Sequence, residues 1–251
     1  MDWENHFHKH GFALLPNAFN SEEIGQLSSA INAASGAPSS LTEEVERALV
    51  YVRDLPTEQR GPQEAENPSD DVYIIGALPH VDPIFHWLVC DSLLSNLAAK
   101  ALATDSIHYH FSNATLKPPR VGPQVGWHRD YPNQYICGET SEQVRTLIFL
   151  NDTDTDNGGF YIIPGSHLVS DSEAKTQSPA MNDDESIALS CPAGSVLVLH
   201  PKLFHRSTFN RSERPRTVLL AQWGAANNPL VTSEVEWGTG QPPQFLGKMK
   251  T

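Results

Sequence analysis

Two short stretches of the sequence hold the side chains best suited to chemistry. In Val125-Gly126-Trp127-His128-Arg129-Asp130-Tyr131, a histidine and a carboxylate stand two residues apart. Alternate residues of a strand point to one face, so His128 and Asp130 can approach one ion together. Leu203-Phe204-His205-Arg206-Ser207 follows a strand-like run ending at Leu199-His200-Pro201 and supplies a third ligand, His205, with His200 as its rival. Two imidazoles and one carboxylate on one face leave about three coordination positions open, the arrangement of non-haem Fe(II) oxygenases. A 2-oxoacid can fill two of them and leave one for O2, and its distal carboxylate then needs a guanidinium offering two parallel donors. Arg216, eleven residues after His205, sits on what reads as the next antiparallel strand, with Arg214 as the competing choice on the same face. Ser207 shares a strand face with His205 and can add a hydroxyl bond. Thr146 is a further candidate for that duty.

These side chains need strands to carry them. From about residue 106, short apolar or β-branched runs alternate with turns: 107–117, 124–129, 144–150, 159–163, 187–190, 195–199, 203–208 and 215–223. Such spacing predicts an all-β sandwich or barrel. Asn157-Gly158-Gly159 marks a turn. Residues 168–186 are polar and aperiodic and read as a long excursion of the kind that forms lids. The first third reads as largely helical. Asn20 or Ser21 can cap a helix carrying Ile24, Leu27 and Ile31 at helical spacing. A short strand is expected at 11–16, a second helix at 41–53, an exposed loop at 54–71 and another helix from Pro83 to Lys100. With no flexible linker in between, one domain is expected over 1–251. Its parts are a largely helical 1–105 packed on the core, a core at 106–224 and a C-terminal tail at 225–251.

Composition narrows the partners. The 251 residues carry a formal net charge of −13, which disfavours phosphate backbones and anionic membranes. Neither nucleic acid nor membrane is expected as a partner, and no apolar run reaches membrane-span length. Three cysteines, Cys90, Cys137 and Cys191, form no C-x-x-C pair and suit a reducing compartment. The N-terminus lacks the pattern of a signal peptide, so a cytoplasmic location is expected.

The ordered set resembles a known family. His128-Arg-Asp130 is followed by Asn157-Gly-Gly-Phe-Tyr-Ile-Ile-Pro164-Gly-Ser-His167, by Gly194-Ser-Val-Leu-Val-Leu, and by His205 with Arg216. Together with Phe7-His-Lys-His-Gly11-Phe-Ala-Leu-Leu-Pro16, these motifs are similar to those of the phytanoyl-CoA dioxygenase family, which includes ectoine hydroxylase. The resemblance covers most of residues 7–224. It implies a double-stranded β-helix, or jelly roll, with packed N-terminal helices. It also implies iron on His128, Asp130 and His205, and 2-oxoglutarate on Arg216 and Ser207, with Lys117 at a family position near the co-substrate. The implied reaction is hydroxylation of an unactivated C–H of a small metabolite, using O2 and releasing succinate and CO2. Because Asp130 is a carboxylate, no ligand position is vacated for halide, which favours hydroxylation over halogenation. Desaturation or ring closure would use the same residues.

Blander roles stand beside these. Trp127, Tyr131, Tyr135 and Trp223 can line a substrate pocket or fill core, with Tyr131 and Trp223 the preferred pocket residues. Arg129 should point away from the metal face. His108-x-His110 reads as structural, and His167 as a loop hydrogen-bonder. Two competing functions remain: a silent jelly-roll binding protein that kept its ligands, and a cupin-like metalloenzyme with no oxoacid co-substrate.

Overall fold

The computed structural model describes residues 2–61, 70–90, 92–132, 136–177 and 183–232. In chain order the helices are α1 (Trp3–His10), α2 (Ser21–Gly36), α3 (Glu43–Glu46), α4 (Pro83–Cys90), α5 (Ser92–Ala101) and α6 (Asp171–Gln177). The strands are β1 (Phe12–Leu15), β2 (Leu49–Tyr51), β3 (Val72–Gly76), β4 (Ile107–Lys117), β5 (Val125–His128), β6 (Cys137–Gly138), β7 (Gln143–Phe149), β8 (Phe160–Ile162), β9 (Ile187–Leu189), β10 (Val196–Leu199), β11 (His205–Ser207), β12 (Arg216–Ala225) and β13 (Leu230–Thr232).

Two antiparallel sheets face one another, as a jelly roll requires. The larger has the order β1-β10-β7-β12-β4-β3-β2, and the smaller β5-β11-β8-β9. Between them lie Leu147, Phe149, Leu197, Leu199 and Val218 of the large sheet, against Phe160, Ile162 and Leu189 of the small one. Phe149 and Phe160 meet edge-to-face at 6.4 Å. The opposite face of the large sheet, with Val144, Ile148, Val196, Val198, Leu219, Ala221 and Trp223, packs against apolar residues of α2, α4 and α5. The central strands β7 and β10 therefore bury both faces, one row toward the helices and the other toward the small sheet.

The helices follow local signals. Asn20 caps α2 in a reciprocal box with Glu23, and Ile24, Leu27, Ile31 and Ala34 form its buried face. The strand at 12–15 pairs with β10. Two of the helices expected in the first third depart from that expectation. The helix expected at 41–53 ends after Glu43–Glu46, because Leu49–Tyr51 pair with β3 as an edge strand. The helix expected at 83–100 is two helices, Pro83–Cys90 and Ser92–Ala101. The excursion at 168–186 contains α6, while residues 178–182 lie outside the described residues, as do 62–69 of the expected loop, Tyr135, and the tail from 233 on. Among the described residues, no helix is long and apolar enough to cross a membrane.

Candidate active site

His128 closes β5, and His205 opens β11 directly opposite it in the ladder. Their rings lie 4.1 Å apart. Asp130 joins them from just past the strand end. Strand β5 stops at His128 rather than running through Asp130, because the Asp130 and Tyr131 N–H groups both donate to the Pro201 carbonyl, at 2.8 and 2.9 Å. That turn brings Asp130 Oδ1 to 3.7 Å from His128 Nε2 and Oδ2 to 3.7 Å from His205 Nε2. All three ligand atoms lie within 4.8 Å of one another. Asp130 and His205 are buried, whereas the His128 side chain is 38% exposed and marks the open side.

The donor set fits a first-row metal ion. His128 Nδ1 lies 2.9 Å from the Gly126 carbonyl, and His205 Nδ1 lies 2.9 Å from the Leu203 carbonyl. A carbonyl can only accept, so each Nδ1 carries the proton and each Nε2 presents a lone pair to the centre. Burial, reinforced by His128, pulls His205 down to about 4, so its ring is neutral at pH 7. Burial by itself would raise the Asp130 carboxyl. Arg145, His205 and His128 outweigh it and hold the group below the usual carboxylate range. The Arg145 guanidinium pairs directly with Asp130 Oδ1.

A second feature lies one pleat away. Ser207 shares the face of His205, about 7 Å along the strand. Its hydroxyl accepts from Lys117 Nζ at 2.7 Å, and Lys117 also donates to the Thr208 carbonyl at 2.6 Å. Lys117 stands opposite Arg216 in the β4–β12 ladder, and both are buried. Burial and the Arg216 charge pull the Lys117 ammonium well below its usual range, and burial pulls Arg216 down to about 10. Neither makes an ion pair among the described residues, and Arg216 Nε has no hydrogen-bond partner there. Two buried cations without a counter-charge among the described residues are an arrangement suited to an anion. Gly158 makes room for one of them, since a Cβ there would fall 2.6 Å from Lys117 Cδ.

Other expected residues lie elsewhere. Thr146 and Trp223 are on the helix side of the large sheet. The Trp223 indole donates to Thr146 Oγ1 at 3.0 Å, and the ring packs edge-on against Tyr109. Both lie in the row with Ile148 and Ala221, turned away from the ligands, so neither the co-substrate duty of Thr146 nor the pocket duty of Trp223 fits this geometry. Tyr131 is at the rim beside Asp130, its hydroxyl donating to the Glu139 carbonyl at 3.0 Å. Trp127 is on the far face of the small sheet under the Arg206 guanidinium. Arg129 also points away from the ligands, to the Lys202 and Val169 carbonyls and to Asp171. Arg214 is exposed and pairs with Asp154, and His200 packs with His167 and Phe7 away from the ligand trio. Arg145 was not singled out from the sequence. The signal was present, since a lone charge inside the apolar run Val144–Leu150 needs a buried partner.

Comparison with known proteins agrees with this geometry. Residues 7–218 match the family model of phytanoyl-CoA dioxygenase (PhyH). The chain belongs to the phytanoyl-CoA dioxygenase family. It is accordingly a dioxygenase of the iron- and 2-oxoglutarate-dependent class. An ectoine dioxygenase of Bordetella bronchiseptica is 26% identical over 265 residues, which cover 96% of this chain and 79% of that one. An L-proline trans-4-hydroxylase of Streptomyces griseoviridis is 25% identical over 215 residues, covering 74% and 79%. The crystal structure of EctD from S. alaskensis with bound Fe superposes with a TM-score of 0.75 at 21% identity, over 97% of this chain and 82% of that one. That likeness establishes the jelly-roll fold for this family member.

Proposed function

We propose that this enzyme hydroxylates an unactivated C–H of a small polar metabolite, holding iron on His128, Asp130 and His205 and the distal carboxylate of 2-oxoglutarate on Arg216, Lys117 and Ser207. The observation that carries the second half is the pair of buried cations one pleat from His205, without a carboxylate among the described residues. A dicarboxylate with one end at the three ligands and the other at this pair would restore charge balance.

When bound, iron and 2-oxoglutarate together supply the two-electron oxidation of the C–H bond by O2, with release of succinate and CO2. The protein's part is positional. Leu203 and Gly126 carbonyls fix the two ring tautomers, Pro201 fixes the Asp130 backbone, and Arg145 orients the carboxylate. Lys117 and Arg216 neutralise the far end of the co-substrate, and the apolar layer around Phe149 and Phe160 keeps water from that end. The small-metabolite class rests on relatives whose names specify ectoine and L-proline. Three free thiols fit a reducing, cytoplasmic setting.

The test is 2-oxoglutarate titration of Fe(II)-loaded wild type and Arg216→Ala, read by succinate formation. The expected result is a rise of at least about tenfold in KM for 2-oxoglutarate, as loss of a charged bidentate anchor implies. An unchanged KM in Arg216→Ala would show that the distal carboxylate of 2-oxoglutarate is held elsewhere.

A further inference from the structure

Beyond Arg145, the inward-facing row of the large sheet continues to residues with no part in holding iron or 2-oxoglutarate. Arg145 Nε donates to Gln222 Oε1 at 3.0 Å. A guanidinium can only donate, so that contact fixes the Gln222 amide, and its Nε2 is the donor end. Gln222 Nε2 reaches the Ile136 carbonyl at 3.0 Å and His110 Nδ1 at 3.2 Å. His110 therefore accepts on Nδ1 and carries its proton on Nε2. Nothing among the described residues accepts from that Nε2–H, although His110 is 3% exposed.

The His110 ring lies over Gly224. A Cβ at Gly224 would fall 2.3 Å from its Cε1 and 2.4 Å from its Nε2, so only glycine leaves the ring in place. Directly across the ladder from Gly224 stands Gln143, 1% exposed. Its Oε1 accepts from the Gly138 N–H at 3.1 Å, which fixes this amide too, and its Nε2 has no partner among the described residues. Two N–H donors of settled orientation, that of Gln143 buried and without a partner among the described residues, thus flank one glycine. Both stand beside the chain Asp130–Arg145–Gln222, and Gln143 is about 7 Å along β7 from Arg145 on the same face. Leaving the Gln143 donor unmet is costly, and a bound acceptor removes that cost. Burial and the neighbouring His108 pull the His110 ring down to about 4, so it acts as a neutral donor.

We infer that His110 and Gln143 form a substrate-orienting subsite for a carbonyl-type oxygen, that of a carboxylate or a carboxamide, on the molecule to be oxidised. The inference rests on the dioxygenase reading and adds the substrate's chemical class to it. An ammonium there would set donor against donor and is rejected.

The test uses the enzyme loaded anaerobically with Fe(II) and 2-oxoglutarate. The probes are pyrrolidine, cyclohexane and benzene rings, each carrying a carboxylate, a carboxamide or an aminomethyl group, with affinities measured by calorimetry. In wild type, acid or amide rings should bind about tenfold or more tightly than their aminomethyl counterparts. Gln143→Leu should abolish that preference, and the nearly isosteric Gln143→Glu, which replaces a donor with an acceptor, should shift it toward the aminomethyl rings. Circular dichroism melts check that each variant is folded, and Gln143→Glu carries the test should the leucine variant fail to fold. A carboxylate preference over carboxamide identifies an acid, and the reverse an amide. No head-group preference in wild type, or one surviving both variants, would overturn the subsite alone. Failure of wild type to take up iron and 2-oxoglutarate at the loading step would overturn the dioxygenase reading and the subsite with it.

Discussion

Asp130 keeps its charge at a fully buried position because Arg145 lies against one oxygen and two imidazoles face the carboxylate. The guanidinium is thus a positioning partner of the metal ligand. Arg145→Leu should weaken Fe(II) affinity by about 10- to 100-fold, the usual range for losing such an outer partner, with Arg145→Lys recovering part of it. Competition titration of Fe(II) against a chelator measures this. At the other end, Lys117 and Arg216 are a liability to the empty protein, since each is a buried cation beside another. Lys117→Met should raise the apo-protein melting temperature by about 2–4 °C, equivalent to about 1 kcal/mol at this size, while weakening 2-oxoglutarate binding. Calorimetric melts with and without co-substrate separate the two effects. The ligand trio was legible in the sequence because its residue types and order are rare in combination. Which row of β7 faces the ligands, that of Thr146 or that of Arg145, was not, because every residue of the strand is buried and alternation cannot tell the two apart.

Among the elements, the eight runs expected beyond residue 106 all appear as strands, since β-branched runs bounded by glycine, proline and asparagine read clearly. The first third was less legible. Leu49–Tyr51 and Val72–Gly76 become strands only because β4 offers an open edge, a long-range fact that local periodicity does not contain. The turn at Asn157-Gly158-Gly159 links element to site. Gly158 has φ +103° and lies against Lys117, while Asn157 is buried and donates to the Asp152 carbonyl. Gly158→Ala should cost about 1–3 kcal/mol of stability through backbone strain, and should displace Lys117 so that affinity for 2-oxoglutarate falls as well. Urea denaturation paired with 2-oxoglutarate titration reads both. A variant equal to wild type in each would show that this turn does not hold the anchor.

Across the whole molecule, buried neutral histidines make stability depend on pH. Burial holds His110 at about 4 and His200 at about 3. The unfolded chain protonates both near 6.5, so below that pH it binds more protons than the folded one, and acidification favours unfolding. Between pH 7 and pH 5 each histidine should remove about 2 kcal/mol, and His200→Gln should remove its share of the slope. Denaturant midpoints at the two pH values measure this.

The most direct measurement is an anaerobic Fe(II) titration of wild type, Asp130→Ala and His205→Ala, followed by addition of 2-oxoglutarate and then O2. Wild type should bind one iron per chain and form succinate only when iron is present, and both variants should lose iron binding and succinate together. Iron-dependent succinate formation that persists in His205→Ala, or a wild type that binds no iron, would contradict the assignment of the centre to these three side chains.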